Sequence, residues 1–106
     1  MSIFNLFSRK SINDGVEQYR KEDNAVMLDV RTYEEFSEGH IEGSLNLPIG
    51  KIDRAATVIP DKSVPIYVYF RSGNRSARAA AYLKGNGYAS VYDIGGIISY
   101  KGKIVN

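Results

Sequence analysis

Residues 65–85 read PIYVYFRSGNRSARAAAYLKG, and this stretch decides the fold. Ile66, Tyr67, Val68, Tyr69 and Phe70 are all β-branched or aromatic, the composition of a strand buried on both faces. Arg71, Ser72, Gly73, Asn74 and Arg75 break that pattern with a short polar loop. From Ser76 onward, Ala79, Ala80 and Leu83 recur at helical spacing, and Gly85 and Gly87 lie where such a helix would stop. A strand feeding a helix through a tight Gly-containing loop gathers backbone N–H groups around one point. The helix N-terminus adds partial positive charge there, and Arg71 and Arg75 add full charges. The physical reading is an anion cradle, or a seat for a nucleophile whose negative charge needs stabilising.

The flanking segments extend the pattern. Residues 25–30 read as a short apolar strand, and Ser11 to Glu22 as a helix with Ile12, Val16 and Tyr19 on one face. Gly15 is expected to weaken that helix by roughly 1 kcal/mol relative to Ala. Thr32 and Glu35 have the spacing of a capping box, which opens a short helix reaching about Glu38. A turn-rich connection at 39–43 leads to a brief strand at 44–47, ended by Pro48. Residues 49–58 form another helix candidate. The last strand is expected at 89–94, Gly95-Gly96 as a tight turn, 97–100 as a helical turn and 101–106 as a tail. Ile3, Phe4, Leu6 and Phe7 suggest a short strand or cover segment, with a weak interfacial anchor as the alternative. Strands alternating with helices imply a mostly parallel sheet covered on both faces, with ligands bound beyond the carboxyl ends of its strands.

These segments together resemble the rhodanese-like sulfurtransferase family. The resemblance rests on Leu28-Asp29-Val30-Arg31, Glu34-Glu35-Phe36, Gly39-His40-Ile41 and Gly43-Ser44-Leu45-Asn46-Leu47-Pro48. It continues through Tyr69-Phe70-Arg71-Ser72-Gly73-Asn74-Arg75-Ser76, then Gly87-Tyr88, Val91-Tyr92 and Ile94-Gly95-Gly96. It implies a rhodanese-like α/β fold, a single domain over residues 1–106, and transfer of sulfur through a Cys persulfide. The substrate-binding or anion-binding positions it implies are Arg71, Ser72, Gly73, Asn74, Arg75 and Ser76. It implies no cofactor and no metal. A small sulfur-containing anion or a persulfide-carrying protein is the expected partner, and a monomer the expected state.

The family's catalytic Cys falls on Phe70, and the chain contains no cysteine at all. A phenyl ring neither attacks nor carries sulfur, so the chain is expected to be inactive in persulfide chemistry. Phe and Cys codons differ in one middle base, which fits a natural pseudo-enzyme and an introduced substitution equally. Phosphatases of related design place five residues between Cys and Arg. Here four separate Phe70 from Arg75, a smaller cradle. Asp29 and Arg31 suggest a fold-bracing salt bridge of the surface kind, worth roughly 0–1 kcal/mol. His40 is expected in a turn or core role, and Tyr67, Tyr69, Tyr88, Tyr92 and Tyr100 at the core edge. The alternative function is a non-catalytic module that binds a protein or an anion.

Composition bounds the rest. At 106 residues, with 43% hydrophobic and 25% charged, the chain is ordinary for a globular domain. A net charge of +2 with scattered basic residues does not argue for nucleic acid. A single His leaves a His-based metal cluster out of reach. No run approaches the roughly 18 apolar residues of a membrane span, and residues 1–10 lack the pattern of a secretory signal. A cytoplasmic location is the expectation.

Overall fold

The computed structural model describes residues 11–72 and 74–106. The predicted cover segment at residues 3–7 and Gly73 lie outside them. The described chain runs α1 (Ile12–Lys21), β1 (Val26–Asp29), α2 (Tyr33–Glu38), β2 (His40–Ile41) and β3 (Ser44–Asn46). A 3-10 segment (Ile49–Arg54) leads into α3 (Ala55–Val58), followed by β4 (Ile66–Phe70), α4 (Asn74–Gly85) and β5 (Val91–Gly96). A 3-10 turn (Ile97–Ser99) and β6 (Ile104–Val105) complete it. Four strands form one sheet in the order β3-β1-β4-β5, every neighbouring pair parallel.

β4 lies between β1 and β5, and all five of its residues are buried. Its side chains alternate across the sheet. Ile66, Val68 and Phe70 join Leu28, Ala79, Ala80 and Leu83 on the face covered by α4. Tyr67 and Tyr69 join Ile12, Val16 and Ile94 on the face covered by α1. A strand sandwiched in this way needs apolar residues at every position, which is why the run IYVYF carries no polar alternation.

Local signals set the helix starts. Ser11 caps α1 by accepting the Asp14 N–H at 3.2 Å. The capping box is complete: the Glu35 N–H donates to Thr32 Oγ1, and the Thr32 N–H donates to Glu35 Oε1. The helix predicted from Ser76 begins two residues earlier, at Asn74.

Gly15 has a role opposite to the one its helix propensity suggests. A Cβ there would sit 2.7 Å from the Cβ of Ile94 on β5, so the missing side chain is what lets α1 lie on the sheet. Gly15→Ala gains about 1 kcal/mol of helix propensity but overpacks a close contact, at a cost of about 1–3 kcal/mol. We expect a net loss of stability, read as a lower midpoint in urea.

Three sequence expectations are corrected. The connection at 39–43 and the predicted tail contain β2 and β6, which pair antiparallel, with His40 opposite Val105 and Ile41 opposite Ile104. Two-residue strands carry no readable period. Gly95-Gly96 belongs to β5 rather than to a turn, with a register shift opposite Val68/Tyr69. Tyr67, Tyr69 and Tyr88 are buried, not at the core edge. Burial is tolerated because each hydroxyl is satisfied. Tyr88 donates to the Ile59 carbonyl at 2.6 Å, and Tyr67 donates to Glu22. Tyr69 accepts the Ile41 N–H at 3.1 Å and lies 3.2 Å from the Ser44 hydroxyl.

Burial, reinforced by the charge of Glu22 at Tyr67 and of Asp29 at Tyr69, pushes both phenols above the ordinary range. An unfolded Tyr ionises near about pH 10, whereas the folded ones keep their protons at higher pH. Above that pH the unfolded state binds fewer protons, so stability falls as pH rises. We expect the urea midpoint to hold up to about pH 9 and then drop, each of these two phenols contributing at most about 1.4 kcal/mol per pH unit.

Candidate functional site

All four parallel strands run the same way, so their carboxyl ends gather at one edge of the sheet. The loop after β4 leaves from that edge. Arg71 and Ser72 are exposed on it, and Asn74 and Arg75 are exposed on the first turn of α4. The loop lies against β5. A Cβ on Gly96 would come within 2.7 Å of the Ser72 Cα and closer still to the Arg71 carbonyl oxygen. That carbonyl accepts the Ile98 N–H at 3.2 Å. Only a glycine at 96 leaves room for the loop backbone at this distance.

Behind the loop, Ser76 is fully buried and its hydroxyl donates to Asp93 Oδ1 at 2.6 Å. The same oxygen accepts the Gly95 N–H at 3.0 Å. One carboxylate therefore ties the first turn of α4 to the irregular stretch of β5. Sequence reading placed Ser76 among the anion-binding positions. In the structure its hydroxyl is engaged with Asp93, a residue that no motif had singled out.

Phe70 ends β4. Its side chain is 9% exposed and belongs to the core on the α4 side, with Leu28, Val30 and Val68. The Arg75 guanidinium lies over the ring, Cζ 5.2 Å from the centroid, a cation–π contact worth about 0.5–1 kcal/mol at an exposed site. Arg75 thus braces the ring, and Arg71 stands apart on the loop.

Asp29 and Arg31 form the other charged feature of this edge, and the expectation of a surface-type pair is corrected. The Asp29 side chain is 0% exposed and that of Arg31 8%. Arg31 Nε and Nη2 bind the carboxylate at 2.7–3.1 Å, and Nη2 also donates to the Gly39 carbonyl at 2.6 Å. Burial opposes the guanidinium charge, but the hydrogen bonds and charge of Asp29 outweigh it and raise the Arg31 pKa. The pair braces β1 against the start of β2. Asn46 adds two donations, to the Asp29 and Arg31 carbonyls.

A cleft of about 360 Å³ opens beside the loop, lined by Arg31, Glu35, Glu38, Arg71, Ile97 and Ile98. Its walls come from Arg31 after β1, from α2, from the loop after β4 and from the turn after β5, at the edge where parallel sheets take ligands. His40 lies outside this lining. Its Nδ1 is 2.8 Å from the Phe36 carbonyl and its ring stacks on Phe36, centroids 3.7 Å apart, a structural role. Among the described residues, no group of three or more His, Asp or Glu is placed to hold a metal ion. No described helix is long and apolar enough to cross a membrane.

The sequence pattern of the family described as "Rhodanese-like domain" matches residues 13–103. The chain belongs to the rhodanese-like domain family. It is 35% identical to the thiosulfate sulfurtransferase PspE of Escherichia coli, over 66% of this chain and 68% of that one. It is 36% identical to the thiosulfate sulfurtransferase GlpE of Ectopseudomonas mendocina, over 82% and 79%. A solved structure of a rhodanese with anions from E. coli superposes with a TM-score of 0.71 at 32% identity, covering 76% of this chain and 96% of that one. The mostly parallel α/β sheet is thus the rhodanese-like fold, and Phe70 ends its central β4.

Proposed function

We propose that this rhodanese-like domain is a sulfurtransferase scaffold disarmed at one position. The observation that carries the reading is Phe70: a buried phenyl ring at the end of β4, in a chain without any cysteine. Persulfide chemistry needs a thiolate, which attacks the outer sulfur of thiosulfate, breaks its S–S bond and releases sulfite. Cyanide then removes that sulfur as thiocyanate and restores the thiolate. No side chain here performs the first step. The hydroxyl of Ser72 is not a substitute, because an oxygen nucleophile does not form a persulfide.

The surroundings support a cradle that has outlasted its nucleophile. The loop backbone packs on Gly96, Asp93 holds the first turn of α4, and Arg71 remains exposed. A helix of twelve residues begins at Asn74, directing its N-terminal N–H groups toward the loop. The relatives named thiosulfate sulfurtransferases make a small sulfur oxyanion a natural counterpart, and a persulfide-carrying protein is the other. We place the domain in the cytoplasm as a monomer.

The test is Phe70→Cys. We expect thiosulfate to load the variant with about one cyanide-labile sulfur per chain and to leave the unmodified chain unloaded. Sulfur transfer by the unmodified chain would overturn the reading. A folded variant that stays unloaded would favour a second reading, a binding module for a protein or an anion. The exposed Arg71 and Arg75 are the observation behind it.

A further inference from the structure

We propose that the cleft between the loop after β4 and α2 binds a small zwitterion of the α-amino-acid class, its carboxylate at Arg71 and its ammonium at Glu38 and Glu35. The proposal goes beyond the sulfurtransferase reading and does not depend on it. Arg71, Glu35 and Glu38 line one cleft, yet no ion pair joins Arg71 to either carboxylate. Opposite charges facing a common space and too far apart to pair are matched by a ligand carrying both signs.

The charges within the cleft select among ligand classes. The Arg31 charge is already answered by Asp29. Its Nε and Nη2 are committed to Asp29 and Gly39, whereas Nη1 has no hydrogen-bond partner among the described residues. Arg31 therefore offers a donor without a net charge. Glu35 uses Oε1 in the cap of α2 and keeps Oε2. An anion alone meets Arg71 but also two carboxylates. A cation alone meets those carboxylates but also Arg71. A molecule with an ammonium and a carboxylate on neighbouring atoms meets each with its opposite. Ile97 and Ile98 supply an apolar wall, and Ile98, 68% exposed, is the largest uncovered apolar side chain beside the loop. A short apolar or thioether side chain would cover it. The cleft, about 360 Å³, falls in the lower part of the range for small-ligand sites, roughly 300–1,000 Å³.

The experiment is an amide NMR titration of the unmodified chain with S-methyl-L-cysteine. Methylthiopropionate, which lacks the ammonium, and methylthioethylamine, which lacks the carboxylate, run beside it. We expect saturable shifts at the amides of Gly39, Arg71 and Ile98, with each singly charged analogue at least about tenfold weaker. Arg71→Gln and Glu38→Gln should each weaken the zwitterion by about tenfold, both being exposed changes that leave the core intact. The absence of a saturable shift, or equal binding of all three compounds, would overturn the proposal. So would binding unchanged in both variants, which would put the zwitterion elsewhere. Thiosulfate producing the same shifts at the same concentrations would make the cleft a plain anion site, and the proposal would again fail. No sulfur is transferred in this titration, so its outcome leaves the Phe70→Cys result untouched.

Discussion

Arg31→Met is expected to destabilise the domain by about 3–5 kcal/mol. The reason is the state in which it leaves Asp29, whose side chain is fully buried, level with Tyr69 on the neighbouring strand, and has the Arg31 guanidinium as its ion-pair partner. The guanidinium's hydrogen bonds to that carboxylate are all lost, while the Arg31 backbone N–H at 2.9 Å remains. The Gly39 carbonyl loses its donor as well, so the start of β2 loosens together with β1. Total stabilities of about 5–15 kcal/mol are usual, so the loss takes a large part of the whole. Denaturation in urea measures it. The double variant Asp29→Asn, Arg31→Met separates the causes, because it removes the stranded charge and should recover part of the loss. Equal losses in the single and double variants would show that the cost comes from packing and the lost Gly39 contact, not from a buried charge.

Phe70→Cys is expected to lower stability by about 2–4 kcal/mol even as it introduces a thiol nucleophile. The ring is part of the core between β4 and α4, and a thiol fills only a fraction of its volume. The contact with Arg75 is lost too. For a domain of this size the loss corresponds to a fall in Tm of about 10–20 °C, measured by thermal melting. Sulfur loading should therefore be assayed well below the variant's melting point. Phe70→Ala should fall at least as far, since it leaves the larger cavity. An unchanged Tm in either variant would mean that the ring contributes little to the core it occupies.

The two expectations have a common origin. Residues ending strands at the carboxyl edge of the sheet serve both packing and site. Asp29 ends β1 and Phe70 ends β4. On the proposed reading, packing has taken over at Phe70 the position that the family's chemistry would use.

Features were legible in the sequence where local pattern decides the structure. IYVYF could only be a strand buried on both faces, and Thr32 with Glu35 announced a helix start. The break after Phe70 and the Ala-rich helix that follows were legible from the residue pattern, with the helix starting at Asn74. Features set by distant contacts were not. Gly15 looks like a weak helix residue until Ile94 is placed against it. Asp29 and Arg31 look like surface charges because charged side chains are seldom buried, and only their mutual bidentate geometry permits it. The three buried tyrosines look amphipathic until their hydroxyl partners are known. Asp93 carried no signal in the sequence, since its partners include Ser76, seventeen positions away. The cleft was hidden for the same reason. Its walls come from α2, the loop after β4 and the turn after β5, which share no spacing in the chain.

The register shift between β4 and β5 has a bearing on how this domain tolerates change in length. Val68 lies opposite Asp93, but Tyr69 lies opposite Gly95 and Phe70 opposite Gly96. The extra residue brings glycines, not Ile94, alongside the end of β4. Deleting one residue between Asp93 and Gly96 would reverse which side of the sheet each following side chain takes. It would also move the turn at Ile97–Ser99 one step back along the loop. A substitution nearby meets one neighbour, whereas a deletion re-addresses every contact downstream. Across relatives of this chain, length should therefore be held more tightly than identity between Asp93 and Ile97.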